Sequence, residues 1–367
     1  AQYGDTPAPV TAGGGGGGIG PAGNGGGIIF LTVEGTLTVD EGGTISANGT
    51  SPDTPQTMAG GGAGGSIRIT TVTIAGSGTI AANGGTGAGD ADIATGGGGG
   101  GRVTVVAQEH GLFTGTINAS GGTGGTGGNG GGAGTVWLKT VGESLGELHV
   151  DNAGVASAMT PTQITDITSV KALTVSNAAA VTTTGLSRAD TTLVEAGASL
   201  QTDVTSVVDL TIDSAVLEQT SPNAKLVVTG DLNVLQGGTI THRIATIATT
   251  YKVNMEVRGN ATIDSDSAID ADGRGYLGGS QPGNPSSVGY TSGNIPTDVT
   301  TDAAGGSHGG PGGAQTSTYD SPVDPTQPGA GGSAGTGPGG NGGGVIRLVV
   351  LGRLHNDGRI SANGKAA

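Results

Sequence analysis

Four aspartates crowd the stretch "ATIDSDSAIDADG": Asp264, Asp266, Asp270 and Asp272. Side chains two apart on a strand share a face, so Asp264 pairs with Asp266 and Asp270 with Asp272. Such pairs can hold Ca²⁺ through oxygen, or divide into a general acid and a general base. The same alternation turns Ile263 and Ile269 inward and leaves the carboxylates on a solvated outer face. They are the candidate Ca²⁺ ligands, and Ca²⁺ is the one cofactor the sequence suggests.

Other residues able to do chemistry do not assemble along the chain. His110, His149, His242, His308 and His355 stand singly, without metal-ligand spacing, and there is no cysteine. The run Gly13 to Gly18 lacks the lysine and Ser/Thr of a phosphate loop. "GTGAGDADIA" (Gly85 to Ala94) is a calcium nonapeptide with its glycine register broken, and it occurs once. A sugar-cleaving groove needs stacking platforms. Trp137, Phe30, Phe113, Tyr3, Tyr251, Tyr276, Tyr290 and Tyr319 are dispersed, and Tyr276 and Tyr319 are better placed to pin a loop. No catalytic residue is assigned, and the chain reads as a non-enzyme. Asn48, Asn118 and Asn260 open N-x-S/T sequons, the candidate glycosylation sites. Asn48, Asn83 and Asn363 share a register and are expected to stack as a polar ladder.

The elements that must carry these residues are set by repetition. "GGIIFLTV", "GGSIRIT", "GGRVTVV" and "GGVIRLVV" each lead to a "G-T-I-x-A" phrase or its variant "GRISANG". "AGTVWLKT" keeps the first half of the unit. Ile45, Ile80 and Ile117 recur at near-equal spacing. Within each unit the alternation has period two, the spacing of a strand, and helix signals are absent. Between 141 and 263 the glycine runs vanish while short alternating strands continue.

The expected fold is all-β: a parallel β-helix (β-solenoid), its coils stacked to bury a column of Ile, Val, Leu and Ala. An antiparallel sandwich is the weaker alternative, because tight hairpin signals do not separate equal strands. The chain divides into an arm and glycine-rich loop (1–24), glycine-rich rungs (25–140), regular rungs (141–263), and a long loop (274–342) with a last rung (264–367), in one continuous domain. The loops 50–63, 84–99, 121–132 and 274–342 are expected to lie side by side as polyglycine-II-like strands.

Composition agrees. Glycine supplies 80 of 367 residues and aromatics 2 %, with 15 prolines and no strict triplet, which excludes a collagen and a large-residue core. A net charge of −15 without a basic patch argues against nucleic acid as partner, and no apolar run is long enough to span a membrane as a helix. The opening "AQYGDTPAPV" has no methionine, as signal cleavage or trimming leaves it.

"GGSIRIT…GTIAANGG" and "ADGRGYLGG…GPGGNGGGVIRLVV…GRISANG" resemble the glycine-rich β-helical repeats of very large bacterial extracellular and surface proteins. The likeness covers about residues 13–140 and 254–364. It implies secretion to the cell surface, a structural or adhesive role, and no catalytic apparatus.

The last phrase, "VIRLVVLGRLHNDGRISANG", is the kind of unit that the first, "IIFLTVEGTLTVDEGGTISANG", would follow. Identical copies are therefore expected to stack head to tail into an extracellular filament through Ile28, Phe30, Val33, Ile45, Val345, Leu348, Val350 and Ile360. Residues 1–12 are expected to cross the joint as an arm. The alternatives are a segment of a large adhesin, with the long loop as its cell-surface or glycan-binding face, a carbohydrate-active β-helix, and an ice- or mineral-binding surface.

Overall fold

Alternation of apolar and small polar residues makes the repeated segments extended strands. The structure, a computed structural model, describes residues 5–53, 58–89, 93–157, 161–297, 304–314 and 318–367. Tyr3 and the Asp90 and Asp92 of the broken nonapeptide lie outside them. The described residues form β-strands and loops with no α-helix; one 3-10 turn, Ser292–Asn294, lies in the long loop. Nearly all sheet pairing is parallel. The chain divides into two compact units, Ala1–Leu200 and Gln201–Ala367.

The first unit contains β1 (Ile28–Thr38), β2 (Thr44–Ser46), β3 (Ser66–Gly76), β4 (Thr79–Ala81), β5 (Arg102–Phe113), β6 (Thr116–Asn118) and β7 (Thr135–Thr140). It continues with β8 (Glu147–Asp151), β9 (Thr162–Ile164), β10 (Ser169–Ser176), β11 (Ala180–Thr183) and β12 (Arg188–Glu195). β1, β3, β5 and β7 pair side by side in parallel, and β2, β4 and β6 make a second parallel sheet. In register, Ile29 meets Ile67 and Leu31 meets Ile69. Val103 and Val105 then continue that row to Val136 and Leu138. These residues form the first core with Ile74, Ile80 and Ala82.

One join departs from the parallel expectation. β8 pairs antiparallel to β7, then β10 and β12 follow β8 in parallel. The turn between them closes with the Glu143 amide donating to Thr140 O at 3.1 Å, and Gly142 takes φ +90°. A side chain with a Cβ is strained there. Directly opposed residues share a face. Val136 and Leu138 therefore stand beside His149 and Glu147, and Trp137 beside Leu148. The buried face changes sides at this join. It is the Val103/Val136 face before it and the Leu148, Val150, Leu173 and Val175 face after it. Glycine-rich and glycine-poor strands share this sheet, so the change of composition at residue 140 marks no unit boundary.

β13 (Ser199–Thr202) spans the boundary. The second unit contains β14 (Ser206–Asp213), β15 (Val216–Gln219), β16 (Leu226–Val228), β17 (Leu232–Leu235), β18 (Thr239–His242), β19 (Val253–Val257), β20 (Ala261–Ile263) and β21 (Ala268–Asp270). A short antiparallel pair follows in the loop, β22 (Tyr290–Thr291) with β23 (Ile295–Pro296). β24 (Ile346–Val350), β25 (Leu354–Asn356) and β26 (Arg359–Ser361) close the described chain. β24, β25 and β26 pair in parallel with β19, β20 and β21.

The glycine tracts are ordered by their own backbones. Gly85 N donates to Gly62 O, Gly98 N to Gly85 O, Gly122 N to Gly98 O and Gly131 N to Gly122 O, each at 2.8 Å. Bare backbones approach closely enough for these bonds because no Cβ intervenes. A Cβ on Gly98 would overlap Gly62 O, and one on Gly131 would overlap Gly98 O. The long loop of the second unit repeats the device, with Gly279 N on Gly332 O and Gly332 N on Gly340 O, both at 2.9 Å.

Aromatic side chains pin that loop. Tyr319 Oη donates to Pro328 O at 2.6 Å, and Tyr276 Oη donates to Gln327 Oε1 at 3.1 Å. The two rings meet edge to face with centroids 6.3 Å apart. Tyr276 and Tyr319 thus form an aromatic pair that their spacing in sequence conceals.

Gly98→Ala is expected to lower the stability of the first unit by about 1–3 kcal/mol, the usual cost of overpacking. Gly27→Ala, whose added Cβ meets nothing within 4 Å, should change it by less than about 0.5 kcal/mol. Denaturant titration of the two variants checks the contrast.

Candidate functional site

The chemistry that a parallel stack leaves unfinished lies at its open edges. Among the described residues, β1 pairs only with β3 and β2 only with β4, so their other edges present unpaired N–H and C=O groups. The inward residues there are Ile29, Leu31, Leu37 and Ile45, all partly exposed, whereas Ile67, Ile69 and Ile80 one strand further in are fully buried. Of the residues expected at this face, Ile45 lies on the core column. Ile28 and Phe30 lie on the opposite face, in register with Ser66 and Arg68, and are 43 % and 59 % exposed. Val33 pairs with Thr71. The sequence pattern "IIFL" is compatible with either phase, and the register with Ile67 and Ile69 chooses it.

The second unit has an equivalent edge. β24, β25 and β26 have no partner on their far side among the described residues. Ile346, Leu348 and Val350 continue the column of Val253, Met255 and Val257, which are fully buried. Leu354 follows Ala261 and Ile360 follows Ile269. Leu348, Val350 and Ile360 therefore lie on the apolar column of this edge. Val345 precedes the strand, its carbonyl accepting from Val253 N at 2.9 Å. Ile346 and Leu354 were missed, although the period of two reaches both.

Beside this edge lie the four aspartates. Arg359 on β26 reaches across with Nη2 2.6 Å from Asp270 Oδ2 and Nη1 2.9 Å from Asp272 Oδ2. The ion pairs and hydrogen bonds hold the Arg359 guanidinium above its ordinary pKa. Partial burial pushes Asp272 up, but Asn363 N and its other donors outweigh this and its carboxyl ends below the usual range. Asp264 accepts from Ser267 Oγ at 2.5 Å and from Gln236 N at 2.6 Å, which lowers its pKa. Asp264 thus caps a turn, while Asp270 and Asp272 clamp one strand to the next. Asp266 joins the Asp264 turn through its backbone amide, which donates to the Asp264 carboxylate. Among the described residues no group of three or more His, Asp or Glu is arranged to hold a metal ion.

Asparagines and aspartates act as ladders. Asn48 Oδ1 accepts from Asn83 N at 2.7 Å, and Asn83 Oδ1 from Ser120 N at 2.9 Å. Asp209 Oδ1 likewise accepts from Asp231 N, Asp231 Oδ1 from Asn260 N, and Asn260 Oδ1 from Arg353 N. The sequon residues Asn48 and Asn260 are exposed members of these ladders, whereas Asn118 Oδ1 is buried without a partner. Asn363 belongs to the Asp272 arrangement in the other unit, not to the Asn48 ladder.

Residues 5–12 depart from the expected arm across a joint. Thr6 is fully buried on the chain's own sheet, with its amide on Asp166 Oδ2 at 2.5 Å and its Oγ1 accepting from Arg102 Nη1 at 2.7 Å. Thr104 Oγ1 donates to Thr6 O at 3.1 Å and Ser66 Oγ to Thr11 O at 2.6 Å. The outer face of β3 and β5 carries polar side chains that this segment satisfies, so a neighbour's edge is not needed to hold it.

No protein-family model, curated protein or solved structure matches the chain.

His242 sits under the β24 edge. It is fully buried, and a Cβ on Gly344 would strike its ring. Burial, aided by the Arg274 guanidinium, drives its pKa down to about 4 despite a hydrogen bond with Arg243 O. Between pH 6.5 and about 4 the unfolded chain binds the proton that the folded chain refuses, so stability falls as the pH is lowered through that window. The loss should reach about 3 kcal/mol at pH 4. His242→Gln should flatten this part of the pH profile in urea titrations.

Proposed function

We propose that the chain is a β-solenoid whose glycine tracts pack in polyglycine-II-like fashion, and that it serves as a structural subunit of an extracellular filament. The observation that carries this reading is the pair of open edges. Each combines a row of unpaired backbone groups with a half-exposed apolar column, and such an edge is a template for another strand. The edges differ in sequence: Ile29, Leu31, Leu37 and Ile45 on one, Ile346, Leu348, Val350, Leu354 and Ile360 on the other. A contact between unlike faces is heterologous and propagates without closing. Further repeats of the same kind would complete each edge, and a second copy of the chain supplies them. The resemblance to glycine-rich repeats of surface proteins supports an extracellular setting. With no catalytic constellation assigned, the function proposed is mechanical.

Leu31→Asp and Leu348→Asp each disable one edge. Electron microscopy of the unaltered chain should show filaments, and neither variant alone should form them. Mixed in equal amounts, the two should form a one-to-one dimer by light scattering, since each retains the edge the other lacks. Homodimers of either variant would mean like-with-like contact and overturn head-to-tail stacking. An unaltered chain that stays monomeric at high concentration would overturn self-assembly and favour a segment of a longer adhesin.

A further inference from the structure

The change of buried face at β7/β8 leaves the first core without an end wall. The β2-β4-β6 sheet stops at β6, whose outer edge has no partner among the described residues. The chain passes from β7 through a turn directly into β8, with no short strand to cover Ile117. "AGTVWLKT" is followed by "VGESLGELHV" in place of a "G-T-I-x-A" phrase. A cavity of about 410 Å³ opens there, within the first unit. One wall is the end of the core: Ile74, Phe113, Ile117, Val136 and Leu138. The other is the polar outer face of the strands beyond the join, with His149, Asp151, Thr174 and Ser176. Its volume falls in the range of small-molecule sites.

An acceptor on the lining lacks a donor: Asn118 Oδ1 on β6 is shut off from solvent and has no hydrogen-bond partner. Leaving such a group unpaired is unfavourable, so a ligand that pairs it gains affinity. Burial lowers the His149 pKa, partly offset by Glu147 3.7 Å away, which favours the uncharged ring. The Asp151 carboxylate, which already accepts from Ala153 N, Ser176 Oγ and Asn177 Nδ2, puts negative charge on the lining, repels anions and favours cations. His110 offers no free N–H at Nε2, which lies 3.0 Å from Lys139 O.

We propose that this cavity binds a small amphipathic amine, its aryl or alkyl body against the Phe113/Leu138 wall and its N–H groups directed to Asn118 Oδ1 and Asp151. The proposal is independent of filament formation, because none of these residues lies on the β1/β2 edge or the β24–β26 edge.

The test titrates 2-phenylethylamine, 2-phenylethanol and phenylacetate into the full isotope-labelled chain. The readouts are the NMR signals of the Asn118 side-chain amide and the His149 ring. The amine should give saturable shifts at both, the alcohol the same pattern at several-fold weaker affinity, and phenylacetate none. Asn118→Leu keeps the branched shape of the side chain and removes the acceptor; it should weaken the amine about tenfold while the melting temperature holds. Should that variant fail to fold, Thr174→Val removes only a hydroxyl from the lining and should leave amine binding within twofold. Absence of saturable shifts, phenylacetate binding as tightly as the amine, or shifts confined to other residues would each overturn the site.

Discussion

The hydrogen bond between one segment's amide and its neighbour's carbonyl is the interaction on which everything else in this chain depends. In the strands it is the ordinary ladder, and side chains stand clear of it on both faces. In the glycine tracts it runs between backbones so close that a Cβ would overlap the acceptor, as at Gly98 and Gly131. One donor–acceptor geometry thus organises regions that look unrelated in composition. A chain with 2 % aromatic residues cannot rely on large side chains to exclude water. It relies on many thin layers, each burying a few Ile, Val or Leu and each aligned by its neighbours.

That reliance has a consequence at every place where a neighbour is missing. A layer within the stack has its apolar column covered and its amides paired. Residues such as Ile80 and Met255 are then completely buried. The outermost strands keep the same sequence pattern and lose half of that environment. Their exposure follows from position in the stack and not from a more polar sequence. The cavity below β6 has the same origin inside the first unit, where one short strand is not repeated.

Polar side chains serve the stack in a parallel way. Asn48, Asn83, Asp209, Asp231 and Asn260 each carry an oxygen to the amide of the next layer, where the turn interrupts the ladder. Arg359 does with charge what these do with neutral or anionic oxygen, tying Asp270 and Asp272 to the following strand. A partly exposed carboxylate pair that in another setting would hold a cation here finds a guanidinium supplied by the next repeat. The cluster is legible in the sequence as acidic pairs. Its partner, some ninety positions away, is not.

The sequence by itself determined the strands, their period of two, and the need for glycine wherever loops are to touch. These are local: alternation is written in neighbouring residues, and the absence of a Cβ is a property of one position. Direction and phase belong to the tertiary structure. An alternating run reads the same whether its strand lies parallel or antiparallel to the last. The turn at Thr140–Glu143, with Gly142 at φ +90°, is a local trace of the reversal before β8. Once β8 runs the other way, its register with β7 puts His149 beside Val136 and moves the core to the opposite face. The placement of Ile28 and Phe30 outside the core, the burial of Thr6 against Arg102, and the unlined end of the first core were likewise decided there. Each depends on which residue lies alongside from a distant segment.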